Sequence, residues 1–123
     1  VVIDVVEDVA MGFTYVKVGV YSFDLSKHAD VEVLVDIGAL FTSILRRVLE
    51  ELGLRPIARL RVFGGEVIER DVGGAIIGYE DRRAVVPVAF GEPGDAPVLG
   101  VSALEALGYQ LDPATKRLKP PGY

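Results

Sequence analysis

A mostly-β domain, a barrel or sandwich with two short helices, is what this sequence predicts. Three features point to it: runs in which valines alternate with other residues, glycine- or proline-marked turns at short intervals, and only two stretches with helical spacing. The 123 residues fit one domain, with 1–13 as an N-terminal extension and 14–123 as the folded unit.

The elements follow in order. Residues 1–10 are valine-rich with Asp4, Glu7 and Asp8, an extra strand or short helix outside the main unit. TYVKVGVY, Thr14 to Tyr21, places Val16, Val18 and Val20 on one face of a strand. SFDLSKHAD is a polar hairpin loop into a second strand, Val31 to Val35. Thr42 or Ser43 is expected to cap a helix whose buried face is Leu45, Val48, Leu49 and Leu52, with Arg46, Arg47, Glu50 and Glu51 on its wet side. Gly53 ends that helix and Pro56 prevents its resumption. From Ala58 to Phe90 the chain is expected to be all β. IARLRVF leads to a tight turn at Gly64-Gly65, and EVIERDV reaches Gly73-Gly74. AIIGYE and RAVVPVAF follow, joined near Asp81. After the loop GEPGDAP come a short strand, VLG, and a second helix, VSALEALG, with Ser102 as a possible cap and Gly108 at its end. A hairpin around Asp112-Pro113 closes the chain.

Composition removes many functions. The net charge is −5, which argues against a nucleic-acid partner, since phosphates demand a basic face. With no cysteine there are no disulfides, thiolate metal sites or cysteine nucleophiles. No apolar run is long enough to span a bilayer, and VVIDVVEDVA carries acids where a signal peptide needs bases, so a soluble, cytoplasmic protein without a membrane partner is expected. His28 is the only histidine and lies between charged neighbours in a polar loop, poor material for a triad or a zinc site. GVSAL around Ser102 lacks the second glycine of a nucleophile elbow, and no phosphate-binding glycine loop or calcium loop is present. No metal or organic cofactor is expected.

Carboxylate chemistry remains. Asp36 follows the apolar strand VEVLV and precedes Ile37, Gly38 and Ala39. A carboxylate in such a place must be satisfied or used. One aspartate near neutral pH cannot be acid and base at once. Two held in contact share a proton, because both cannot stay ionised there. The chain offers half of such a dyad, and a twofold axis can supply the other half. The alternative role for Asp36 is a carboxylate accepting hydrogen bonds from its own turn. Asp71-Val72-Gly73 repeats the Asp-x-Gly form, but it follows Glu69 and Arg70 and is better explained as a solvated strand end.

At these residues the sequence resembles the retropepsin-like (retroviral-type) aspartic protease family, closest to its small stand-alone prokaryotic members. The family's strand and Asp-Thr/Ser-Gly-Ala match Leu34-Val35-Asp36-Ile37-Gly38-Ala39. Its later marker, two apolar residues and a glycine before a short helix, matches Val98, Leu99 and Gly100, which support the cleft. Its glycine-rich flap tip corresponds to Phe63, Gly64 and Gly65. The likeness runs from about Thr14 to Asp112. It implies a closed β-barrel acting as a homodimeric endopeptidase on peptide or protein substrates, with Asp36 of each subunit activating one water. Ala39 and Val98 become wall positions.

Ile37 departs from the pattern. The family's hydroxyl at this position braces the two aspartates across the axis, and isoleucine can neither donate nor accept. A second reading follows: a catalytically weak or inactive dimer that keeps the fold and binds peptides. A third is a subunit whose apolar surface serves a larger assembly.

Overall fold

The computed structural model describes residues 13–63 and 67–120. Nine strands and two helices occur among them: β1 (Tyr15–Tyr21), β2 (His28–Val35), β3 (Thr42–Leu45), α1 (Arg46–Glu51), β4 (Ala58–Phe63), β5 (Val67–Tyr79), β6 (Arg82–Gly91), β7 (Val98–Leu99), α2 (Val101–Leu107), β8 (Gln110–Asp112) and β9 (Arg117–Lys119). The fold is mostly β. Strands β1 to β7 form one sheet in the order β1-β2-β7-β3-β6-β5-β4, and β1 also pairs with β5; β8 and β9 make a separate hairpin.

Alternation builds the core. Val16, Val18 and Val20 of β1 are buried, as are Val33 and Val35 of β2, because successive strand side chains take opposite faces. Ile44, Ile77, Val86, Val88 and Phe90 join them, with Leu49, Leu52 and Leu54 packed from α1 and the turn after it. Leu99 and three residues of α2, Ala103, Leu104 and Leu107, complete the cluster. Gly53 (φ 78°) and Gly108 (φ 76°) end the helices in the left-handed region that glycine tolerates best.

Several expectations need correction. Thr42 and Ser43 cap nothing: they belong to β3, and α1 begins at Arg46 with Leu45 at its cap position and no side-chain cap. Ser102 does not cap α2 either, since Gly100 holds that position. Gly73-Gly74 does not interrupt the sheet; β5 runs unbroken for 13 residues. A side chain at Gly73 would put its Cβ 2.7 Å from the Arg55 carbonyl oxygen, so the glycine serves a close backbone approach rather than a turn. His28 lies in β2, its ring stacked 5.2 Å from that of Tyr21.

The proposed extension lies almost wholly in 1–12, outside the described residues, as does the expected turn at Gly64-Gly65. The strands leading to that turn are paired as far as Phe63 and Val67. No helix among the described residues is long and apolar enough to cross a membrane.

Candidate functional site

Asp36 is the residue at which β2 stops. Leu34 and Val35 pair in parallel with Val98 and Leu99 of β7, and the Asp36 amide donates to the Leu99 carbonyl at 3.0 Å. The chain then turns. The Ala39 amide bonds the Asp36 carbonyl at 3.1 Å, and the Gly38 amide donates to Asp36 Oδ1 at 2.9 Å. A Cβ on Gly38 would stand 3.2 Å from that oxygen, tighter than ordinary contact, so glycine is what lets the amide approach. Among the described residues, the Gly38 amide on Oδ1 is the one hydrogen bond to this carboxylate.

The turn is fixed from below by the second apolar marker. Gly100 packs so close that a Cβ there would lie 2.5 Å from the Phe41 carbonyl oxygen. Its amide donates at 3.1 Å to Thr42 Oγ1, which is fully buried. The first amides of α2 are satisfied by the same turn: Val101 donates to the Ala39 carbonyl at 2.8 Å and Ser102 to the Leu40 carbonyl at 3.2 Å. The Ser102 hydroxyl adds a third bond, to the Leu40 carbonyl at 2.6 Å. This explains why α2 has no side-chain cap: the Asp36 turn supplies its acceptors.

Above the turn lies a cleft of about 580 Å³, within the usual range for ligand sites. Asp36, Gly38, Ala39 and Leu40 form one side of it, and Val98 and Ile68 contribute apolar wall. Ala39 and Val98 both line it. Leu99 is not in the cleft; its side chain is fully buried in the core. Phe63 ends β4 on the hairpin above. Ile37 and Leu40, 65% and 61% exposed, leave apolar surface on the Asp36 loop. Two other depressions, near the 22–27 loop, do not include Asp36. The first holds a similar aspartate turn, with the Ser26 amide donating to Asp24 Oδ1 at 2.9 Å, but there the Ser22 and Ser26 hydroxyls bond that oxygen as well.

Several lining residues escaped sequence reasoning. Arg61, Arg70 and Asp95 border the cleft. Arg70 and Asp95 are 25 residues apart and form a two-bond ion pair, with nothing in the sequence to couple them. Asp71 is not a solvated strand end. It sits within β5, where its carboxylate is held by Arg46 and Arg59, while Arg46 also lies over the Phe90 ring at 5.3 Å. The hydrogen bond from Arg46, then that from Arg59, holds the Asp71 carboxyl below the usual carboxylate range; the Arg70 bond does the same for Asp95. Depressed values mean that both pairs contribute stability above the ordinary carboxylate range and lose it only as pH falls through the lowered value. No group of three or more potential metal ligands occurs among the described residues.

No protein-family model and no curated protein sequence matches the chain. Its structure is similar to the crystal structure of a retropepsin-like aspartic protease from Rickettsia conorii, with a TM-score of 0.52, 20% identity, and coverage of 84% of this chain and 79% of that one. At that identity the likeness establishes architecture and no more: this chain has a mostly-β, retropepsin-like fold.

Proposed function

We propose that the chain is one subunit of a homodimeric aspartic endopeptidase, with Asp36 of each subunit at a shared site. The observation that carries the proposal is the setting of Asp36. It projects from a turn locked by Gly38 and by the Gly100 step, borders an apolar cleft, and, among the described residues, bonds through one oxygen only. The bond from Gly38 is also what an ordinary aspartate turn makes. The cleft, the lightly bonded carboxylate and the exposed apolar side chains of Ile37 and Leu40 favour the dyad. Those side chains suit burial against a second copy. The run of pairings β1-β2-β7-β3-β6-β5, with β5 back on β1, supports reading the sheet as a closed barrel.

Peptide hydrolysis then divides between two carboxyls sharing one proton. The ionised one takes a proton from water as its oxygen attacks the scissile carbonyl carbon. The protonated one donates to the carbonyl oxygen. The tetrahedral adduct collapses when the C–N bond breaks and a carboxyl returns a proton to the leaving amine. Substrate lies extended between the Asp36 turn and the β4–β5 hairpin, hydrogen-bonded through its backbone. No cofactor is required by this chemistry. Ile37, Gly38 and Ala39 form the active-site loop, Phe63, Gly64 and Gly65 the flap tip, and Val98, Leu99 and Gly100 the support.

Ile37 favours one competing reading, a peptide-binding dimer that does not hydrolyse. Ile37→Thr separates the two. The endopeptidase reading predicts pepstatin-sensitive cleavage by the chain as it stands, with a bell-shaped rate–pH profile, and a change on restoring the hydroxyl of less than about tenfold, some 1.4 kcal/mol in the barrier. Cleavage seen only in the Ile37→Thr protein would establish the binding reading instead.

A further inference from the structure

Arg70 and Asp95 meet where the hairpin and the floor of the cleft come together. Arg70 is on β5; Asp95 is in the loop between β6 and β7. Nε donates to Oδ2 at 2.8 Å and Nη2 to Oδ1 at 2.9 Å, a two-bond fork that fixes angle as well as distance. Each group makes a further bond to nearby backbone. Arg70 Nη1 donates to the Glu69 carbonyl at 2.8 Å, and Asp95 Oδ2 accepts the Glu92 amide at 2.8 Å. The Asp95 amide returns a bond to the Glu92 carbonyl at 2.9 Å. The two side chains are only 19% and 27% exposed, unlike a solvated surface pair. With most of their bonds made to each other and to nearby backbone, they are better placed to hold the structure than to bind substrate, although they border the cleft.

Their placement gives them another use. Two residues past Asp95, the Pro97 carbonyl accepts the Leu34 amide at 3.0 Å, and Leu34 is two residues before Asp36. A short bonded path therefore joins the hairpin strand to the strand that delivers the carboxylate. The next residue of β5, Asp71, takes the opposite face by strand alternation and is bonded to Arg46, at the start of α1, and across the hairpin to Arg59. The hairpin is thus gripped from both faces at consecutive positions. Beyond that rung, the ion pairs at Glu69 are with Arg59 and Arg61, internal to the hairpin.

We propose that Arg70 and Asp95 form a clasp that sets the height of the β4–β5 hairpin over Asp36, and that both act as positioning residues for substrate. The clasp stands on its own geometry; its effect on peptide hydrolysis rests on the endopeptidase reading.

Two readouts on the full chain keep these apart. Hydrogen exchange reads the clasp without any need for activity. Asp95→Asn is expected to speed exchange in 58–63, 67–72 and 92–97 by about tenfold or more, as loss of a charged double bond should, with β1 and α2 unchanged. Steady-state kinetics read the consequence: KM rises and kcat stays within about twofold, the pattern of lost substrate positioning. Arg70→Lys keeps the charge but not the fork, and is expected to give the same pattern in milder form; it also serves if Asp95→Asn fails to fold. Exchanging the two residues, Arg70→Asp with Asp95→Arg, is expected to recover part of the protection. Exchange unchanged in the hairpin, or raised equally everywhere in both single variants, would overturn the clasp. Faster local exchange with unchanged KM would overturn the positioning role. A wild-type chain without hydrolysis would remove the endopeptidase reading and leave the exchange test intact.

Discussion

Asp36→Asn is expected to abolish peptide hydrolysis while the protein stays folded. The asparagine side-chain oxygen can still accept the Gly38 amide, so the turn keeps its 2.9 Å bond and the fit against Gly100 is undisturbed. What is lost is the exchangeable proton, and a symmetric dimer loses it from both subunits together. Acid–base catalysis contributes up to ~10⁴-fold per step, and a dyad that alternates as base and acid uses it in both directions, so turnover should fall by at least about that factor. Stopped peptide-cleavage assays with matched circular dichroism spectra measure both halves of the statement. An Asp36→Asn protein that cleaves as fast as the parent would show the activity to be foreign to this site.

Gly100→Ala should have the largest effect on stability of any single methyl addition near the site. The new Cβ meets backbone: the Phe41 carbonyl oxygen at 2.5 Å, the Phe41 carbonyl carbon at 2.6 Å and the Ala39 carbonyl oxygen at 2.9 Å. None of these atoms can rotate away, as the end of a flexible side chain could. Relief requires the Asp36 turn and α2 to separate, which strains the bonds from Val101 and Ser102 and pulls the Gly100 amide from buried Thr42. Overpacking alone costs about 1–3 kcal/mol, and the strained hydrogen bonds place this case at the upper end or beyond. Urea denaturation should show the midpoint fall with an unchanged slope. Because the moved segment carries Asp36, hydrolysis should fall even in the folded fraction.

These two residues also show what was legible in the chain. Asp36 stood out because a carboxylate follows an apolar strand and precedes a glycine turn, and Gly100 because it closes the apolar pair in the family's later marker; the two strands that end just before them pair in parallel. The valine alternation of β1 and β2 was equally clear, since period two with one buried face is a strong pattern. Short elements were not. FTSIL holds a four-residue strand, too brief to display a period, and its threonine and serine next to helical spacing looked like caps. Thr42 instead spends its hydroxyl inside the core on Gly100. Gly73-Gly74 looked like punctuation because its cause, the Arg55–Pro56 backbone crossing behind it, is long-range. The grips on Asp71 and Asp95 were invisible for the same reason: each joins residues 25 apart whose meeting depends on the sheet being assembled.

Every step of the hydrolytic account needs two carboxylates from two copies. A crystal structure of the protein in its solution oligomeric state tests this directly, through the separation of the two Asp36 side chains. The account predicts a twofold dimer with their nearest oxygens at hydrogen-bonding distance, about 3 Å. A monomer, or a dimer that holds the two aspartates too far apart to share a proton, would contradict it.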